Sequence, residues 1–397
     1  MTDQQPHHPA APEAEPGRPI PARHVFGGLP TYAAGKPPRV VEGLRQFKLS
    51  SNENPLGPVP AVRRALEQFD AATHLYPDPL ATRLRTALAG SLGVPAEDIV
   101  AGAGSYGALT QIISAFAGQA ESGEPDEVVY AWRSFEAYPI IVGLGGARSV
   151  QVPLTPEGEH DLEAMAAAVT ERTRVILLCS PNNPTGPALT ADRVEAFMAR
   201  VPEDVVVVLD EAYLEFCEAS ELTERERSEG GLAEGVSLYR RHPNLVVLRT
   251  FSKAAGLAGL RVGYSISHPA ITRTLRVAAT PFSVSSLAEE CAVAAVEHPE
   301  EIREQVSWIV AERERVVAGL RRIGWEVPVT RANFVWLALG ERTAEFAAFA
   351  EENALSVRAF HPDGVRASIG EEEANTRLLE LCERFASRAG GQGPAGR

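Results

Sequence analysis

Arg249-Thr250-Phe251-Ser252-Lys253-Ala254-Ala255-Gly256-Leu257-Ala258-Gly259-Leu260-Arg261-Val262-Gly263-Tyr264 decides how the rest of the chain is read. Most lysines are solvated surface groups. This one follows the apolar run Leu245–Leu248 and the hydroxyls of Thr250 and Ser252, then leads into small apolar residues. Desolvation in such surroundings lowers a lysine pKa and makes the amine reactive toward carbonyls. Arg261, eight residues on, can complete a phosphate cup with Ser252 and Thr250. Lysine, hydroxyls and arginine around one phosphate suggest pyridoxal 5'-phosphate (PLP), whose aldehyde forms an imine with lysine.

A PLP ring acting as an electron sink needs a carboxylate at its nitrogen. Asp210 meets that need, because it ends the apolar run Val205–Leu209 at the carboxyl edge where α/β folds bind ligands. A carboxylate there is costly without a cationic partner. The competing reading makes Asp210 the N-cap of a following helix. Ser180-Pro181-Asn182-Asn183-Pro184-Thr185-Gly186 follows another run, Val175–Cys179. Alone it is turn chemistry. Beside Asp210 and Lys253, Asn183 becomes a donor to the ring hydroxyl oxygen, as does Tyr213, three residues after Asp210.

Working outward, short apolar runs at Asp98–Ala101, Val128–Ala131, Arg148–Val152, Val175–Cys179, Val205–Leu209, Leu245–Leu248 and Val262–Ile266 alternate with helical patterns. Those patterns include Ala108–Phe116, Leu162–Val169 and Ala191–Ala199. Val205–Leu209 is apolar on both faces, which suits a strand inside a parallel sheet covered by helices. The alternation predicts a doubly wound α/β domain. Near residue 285 the pattern changes. Glu301–Ile323 carries one apolar stripe, and short strands follow at Phe334–Leu337, Ser356–Arg358 and Val365–Ser368, with two helices. These predict a smaller α+β C-terminal domain. The expected layout is a disordered Pro-rich tail over 1–22, an N-terminal arm over 23–56, a large cofactor-binding domain over 57–285, a small domain over 286–390 and a frayed tail over 391–397. The polar stretch Cys217–Gly235 reads as a solvated surface excursion.

Thirty-eight Lys and Arg stand against 52 Asp and Glu, a net charge of −14 over 397 residues. An acidic surface of this kind repels nucleic acid and anionic membranes, so neither is an expected partner. No apolar run approaches the ~18 residues of a membrane span, and no signal peptide is visible. Cys179, Cys217, Cys291 and Cys382 have no paired spacing. They read as buried reduced thiols of a cytoplasmic protein, and no metal site is expected.

Gly102-Ala103-Gly104-Ser105-Tyr106-Gly107 matches a dinucleotide fingerprint, between a strand and a helix. Its backbone N–H groups suit any phosphate. The next strand ends in Trp132-Arg133 where a ribose-binding acid is wanted, although an NADP site can use the arginine.

Together, Ser-Pro-Asn-Asn-Pro-Thr-Gly at 180–186, Asp-Glu-Ala-Tyr at 210–213 and the stretch from Thr250 to Tyr264 resemble the fold-type I PLP-dependent aminotransferases. More narrowly they resemble the histidinol-phosphate aminotransferase family, as do Leu49-Ser50-Ser51-Asn52-Glu53-Asn54-Pro55-Leu56-Gly57-Pro58 and Tyr76-Pro77-Asp78-Pro79. The resemblance runs from about Leu29 to about Phe385. Two segments depart from histidinol-phosphate enzymes. Tyr106-Gly107-Ala108 stands where those usually have an acid, and Arg133-Ser134-Phe135 where they tend to have Pro-Thr-Tyr. The block Trp132-Arg133-Ser134-Phe135-Glu136-Ala137-Tyr138-Pro139 looks like the aromatic-amino-acid branch.

The resemblance implies a role for each matching residue. Lys253 holds PLP and then moves the proton between Cα and C4′ as base and acid. Asp210 stabilises the pyridinium, Asn183 and Tyr213 bond the ring oxygen, and Phe135 stacks on the ring. Gly104, Ser105 and Tyr106, with Ser252, Arg261 and Thr250, hold the phosphate. Tyr76 reaches it from the other subunit of a homodimer. Arg366 binds the substrate α-carboxylate bidentately. Asn54 and Tyr32 match substrate-side positions, and Arg358 lies nearby in sequence, where a solvated arginine is an equal reading. The expected activity is ping-pong transamination of phenylalanine, tyrosine and tryptophan with 2-oxoglutarate. The rivals are a histidinol-phosphate aminotransferase, a PLP decarboxylase of the same fold and an NADP-binding oxidoreductase.

Overall fold

The structure, a computed structural model, describes residues 24–388 apart from 33–34, 71–72 and 121–122. The tails read at 1–22 and 391–397 lie outside the described residues. Seven strands form the main sheet: β1 (Ile99–Gly102), β2 (Glu127–Trp132), β3 (Arg148–Pro153), β4 (Thr173–Cys179), β5 (Val206–Asp210), β6 (Leu245–Thr250) and β7 (Gly263–Ser267). Their spatial order is β1-β7-β6-β5-β4-β2-β3. Strands β2 to β6 pair in parallel, and β7 runs antiparallel to both β6 and β1. This is the α/β architecture the alternating pattern predicts.

The central strands carry continuous apolar runs, Val175–Cys179, Val206–Leu209 and Leu245–Leu248, because both faces of the sheet are covered. Val129, Ile176, Val207, Leu209 and Val247 enter one core, while Val128, Tyr130, Leu177, Val208 and Leu248 enter the other. Helix α1 (Gly104–Phe116) covers the second face with α2 (Tyr138–Gly145). All strands but β7 end at one edge of the sheet. The turns after Gly102, Trp132, Cys179, Asp210 and Thr250 therefore gather there, as in other open α/β sheets that bind ligands.

The dinucleotide reading fails at the level of topology. A nucleotide-binding βαβ unit needs its first two strands in one parallel arrangement. Here β1 lies at the sheet edge beside antiparallel β7, and four strands separate it from β2.

A second core holds an antiparallel sheet of β8 (Phe334–Ala338), β9 (Arg358–Phe360) and β10 (Gly364–Ser368), in the order β9-β10-β8. Short α3 (Leu214–Glu218) follows β5, and the 24-residue α4 (Pro299–Arg322) buries Val306, Ile309, Val310, Val316, Val317 and Leu320. This core also takes in Phe47, Leu49, Tyr213 and Ala254. The arm is tied to it, since Phe47–Lys48 pairs in parallel with Leu355–Ser356, and the Ser368 N–H donates to the Leu49 carbonyl at 2.8 Å. The single strand expected at Ser356–Arg358 is thus two, one pairing with the arm and one with β10.

The stretch Cys217–Gly235 also differs from its reading as a solvated excursion. A capping box between Thr223 and Glu226 opens a short helix, Glu224–Ser228, and Glu226 is buried. Its carboxylate pairs with buried Arg331, whose Nε donates to Oε1 at 2.9 Å. The charged composition suggests solvent, but the tertiary fold supplies an internal partner. Among the described residues no helix is long and apolar enough to cross a membrane.

Candidate active site

A cavity of about 270 Å³ opens at the carboxyl edge of the main sheet, between it and the β9–β10 hairpin. Its lining brings together thirteen residues singled out from sequence. Ser105 and Tyr106 come from the first turn of helix α1, and Phe135, Asn183, Asp210 and Tyr213 from strand ends of the main sheet or the turns after them, as do Thr250, Ser252, Lys253 and Arg261. Arg358 and Arg366 come from β9 and β10, and Tyr32 from the arm.

Asp210 is the last residue of β5 and is buried. Tyr213, not Asp210, occupies the N-cap of α3, so the capping reading of Asp210 is set aside. Asp210 Oδ2 accepts from the Tyr138 hydroxyl at 2.7 Å, whereas Oδ1 is buried with no partner among the described residues. Burial raises the carboxyl to about 6, against the opposing pull of Tyr138 and the Ala212 N–H. Such an oxygen calls for a donor, above all a cationic one.

Lys253 Nζ donates to the Ser51 carbonyl at 3.3 Å and stands 5.8 Å from the Tyr213 ring centre. Burial, reinforced by Arg366 and Arg261, lowers its pKa to about 7. The site therefore holds a substantial fraction of neutral, nucleophilic amine at neutral pH. The Tyr213 hydroxyl accepts from Asn52 Nδ2 at 2.9 Å, and burial pushes the phenol well above its ordinary range.

One end of the cavity is lined by donors. The Ser252 N–H and the Thr250 and Ser252 hydroxyls converge, with Thr250 Oγ1 2.9 Å from Ser252 Oγ, and Arg261 Nη1 lies 3.4 Å from Ser252 Oγ. Helix α1 begins at Gly104, whose φ of +73° and proximity to Arg261 exclude a side chain. A Cβ there would lie 2.4 Å from Arg261 Nη2. Gly263 is equally constrained, because a Cβ would meet the Ser105 backbone nitrogen at 2.4 Å. Backbone donors, two hydroxyls and a guanidinium form a cup suited to a phosphate dianion.

Arg366 is buried at the opposite end. Its Nη1 donates to Asn183 Oδ1 at 2.6 Å and its Nη2 to the Ser50 carbonyl at 2.8 Å, while Nε has no partner among the described residues. Arg358 is not a solvated arginine. Its Nη2 donates to Glu136 Oε2 at 2.7 Å, and both residues line the cavity. Phe135 is half-buried, edge-on to Tyr138 with ring centres 5.6 Å apart.

Two sequence-selected residues stand elsewhere. Asn54 braces the lysine loop from behind, its Nδ2 donating to the Ala254 carbonyl at 3.0 Å and to Gln305 Oε1 at 3.1 Å. Asn52 takes the place on the cavity wall, because its φ of +54° turns the arm there. Tyr76 is 82% exposed and stacks on Phe282, ring centres 4.8 Å apart. Sequence reasoning missed Tyr138, Asn52, Ser51 and Glu136. All four lie inside strings quoted for the resemblance, but no spacing rule ties Tyr138 to a carboxylate 72 residues away.

The model of the family described as aminotransferase class I and II matches residues 45–381. A relative from Streptomyces avermitilis, an aromatic amino acid aminotransferase, is 50% identical over 363 residues, covering 91% of this chain and 97% of its own. One of the same name from Thermobifida fusca is 48% identical, covering 92% of this chain and 97% of its own. A histidinol-phosphate aminotransferase from Sinorhizobium meliloti, crystallised with pyridoxal-5'-phosphate, aligns with a TM-score of 0.75 at 27% identity, covering 86% of this chain and 91% of that one.

Proposed function

The chain belongs to the aminotransferase class I and II family, and on that premise we propose that it is a PLP-dependent transaminase of aromatic amino acids, with 2-oxoglutarate as amino acceptor. One observation carries the reading: a lysine lowered to about 7, a buried carboxylate oxygen without a partner and a buried arginine face one cavity. The residues present fit the cofactor. A protonated ring nitrogen would satisfy Asp210 Oδ1 and hold the carboxylate ionised. The cup of Ser105, Tyr106, Thr250, Ser252 and Arg261 at the start of α1 would take the phosphate, Gly104 giving it access. Asn183 and Tyr213 would hold the ring oxygen, and Phe135 one ring face.

When bound, the cofactor supplies an electrophilic carbon and an electron-withdrawing ring that together acidify the Cα–H of an attached amino acid. The protein's own groups do the rest. Lys253 Nζ, free to carry or release a proton near neutral pH, moves the proton at Cα. Arg366 binds the α-carboxylate and so fixes the direction of the Cα–H bond. Tyr138 keeps Asp210 in place. Tyr32 and Arg358 line the side-chain end.

The aromatic substrate class is supported by the relatives near 50% identity named for that activity. A homodimer accords with the open Tyr76–Phe282 stack, which would be covered by a second subunit. A cytoplasmic location accords with four free, buried cysteines. The test is direct: purified protein with phenylalanine and 2-oxoglutarate yields phenylpyruvate. A much larger kcat/KM for histidinol phosphate overturns the aromatic assignment.

A further inference from the structure

Two arginines stand side by side at the cavity. Arg358 on β9 is the direct antiparallel partner of Arg366 on β10, so both side chains leave the same face of the hairpin. Like charges in that position repel unless each is compensated. The compensation differs. Arg366 donates only to neutral oxygens, those of Asn183 and Ser50, and keeps its charge for an incoming anion. Arg358 donates its Nε and Nη2 to Glu136 Oε2 at 3.0 and 2.7 Å. Glu136 comes from the turn after β2 and lines the cavity beside the stacking position of Phe135. Its side chain is 27% exposed and that of Arg358 13%. The arginine of that turn, Arg133, is engaged elsewhere, with Asp363 and the His361 carbonyl, which leaves Glu136 to Arg358.

We propose that Glu136 is a specificity-determining residue. By neutralising Arg358 while no anion is bound, it weakens the binding of an anionic side chain, that of 2-oxoglutarate included, relative to an uncharged aromatic one, without closing the site to either. A substrate with a distal carboxylate or phosphate reaches the Arg358 guanidinium only by displacing the Glu136 carboxylate, and then lies against that displaced charge. Discrimination thus comes from a built-in competitor as well as from cavity shape. The proposal rests on the transaminase reading and deepens it.

The test measures binding to the PLP-loaded full chain by calorimetry, with succinate as the dicarboxylate probe and 3-phenylpropionate as the aromatic one. Glu136→Gln raises the affinity ratio of succinate to 3-phenylpropionate about tenfold, while Glu136→Asp, which keeps the charge, leaves it within about threefold of wild type. The gain disappears in the double variant Glu136→Gln/Arg358→Gln. A ratio that Glu136→Gln does not move overturns the proposal, as does a gain that persists without Arg358. In turnover, the ratio of kcat/KM for glutamate to that for phenylalanine rises in the same direction. The affinity ratio is read without turnover. Its failure to move counts against Glu136, whereas a wild type that forms no phenylpyruvate counts against the function itself.

Discussion

The two ends of the cavity are built on opposite principles. At the sheet end, groups are left wanting: Asp210 Oδ1 is buried without a donor, and Lys253 is stripped of solvent until its pKa nears 7. At the hairpin end, the cations are already largely engaged, Arg366 with Asn183 and Ser50 through its two Nη atoms and with only its Nε open, Arg358 with Glu136. The sheet end rises from parallel strands covered on both faces. The hairpin end belongs to a smaller antiparallel sheet whose core is shared with the arm. An unmet need on a rigid support suits one constant ligand, here the proposed cofactor. Existing pairs that can be exchanged suit ligands that come and go, as the two substrates of a ping-pong reaction must.

The sharpest way to break this contrast is Lys253→Ala. If the sheet end carries the chemistry, kcat falls by at least about 10³-fold in a steady-state assay, because the proton at Cα loses its carrier. A variant with residual activity near wild type would mean that another group moves that proton.

Asp210→Asn comes next, and it separates cofactor binding from folding. The buried carboxylate is costly alone and favourable beside a cationic ring. Fluorescence titration of PLP into the variant should therefore show about 100-fold weaker binding. The cofactor-free protein should respond in the opposite sense. In the folded chain the Asp210 carboxyl titrates near 6, above its ordinary value near 4. The folded state thus holds the extra proton between those values, and the stability that proton confers is lost as pH rises through about 6. Denaturant unfolding should find cofactor-free Asp210→Asn more stable than wild type by about 2–3 kcal/mol above pH 6, and equal to it below pH 4. A variant less stable at every pH would remove the claim that this end is left wanting.

The smallest effect belongs to Tyr213→Phe, where the two ends meet. Tyr213 packs edge-on against Phe334 of the small sheet, ring centres 5.2 Å apart, and accepts from Asn52 of the arm. Removing the hydroxyl should weaken PLP binding by about fivefold, or ~1 kcal/mol, in the same titration. A loss as large as that of Asp210→Asn would make the ring-oxygen contact as important as the ring-nitrogen one.

Much of the sheet end was legible in the residues. Each of its groups sits at or just beyond the end of an apolar run, and a run buried on both faces marks a central parallel strand, whose carboxyl end faces the ligand. Asp210 and Lys253 could thus be chosen without knowing which strands neighbour one another. The hairpin end was much less legible. Resemblance alone points to Arg366, the sequence pattern favours Asn54 where Asn52 lines the wall, and it does not separate a solvated Arg358 from one in the site. The Cys217–Gly235 stretch hid a buried pair in the same way, because Glu226 finds Arg331 only across 105 residues.

By itself, then, the sequence determined the alternation of strand and helix, the reactive lysine and the carboxylate at the end of its strand. Periodicity, desolvation and strand ends are properties of short stretches. Only the tertiary structure decided that Tyr138 holds Asp210, that Asn52 rather than Asn54 faces the cavity, and that Glu136 covers Arg358. The last of those pairings depends on how a turn of the large sheet meets a hairpin more than 200 residues away, and the first joins a helix to a strand end 72 residues on. Charge and hydrogen-bonding capacity are written in each residue, but the partner that uses them is set by docking geometry.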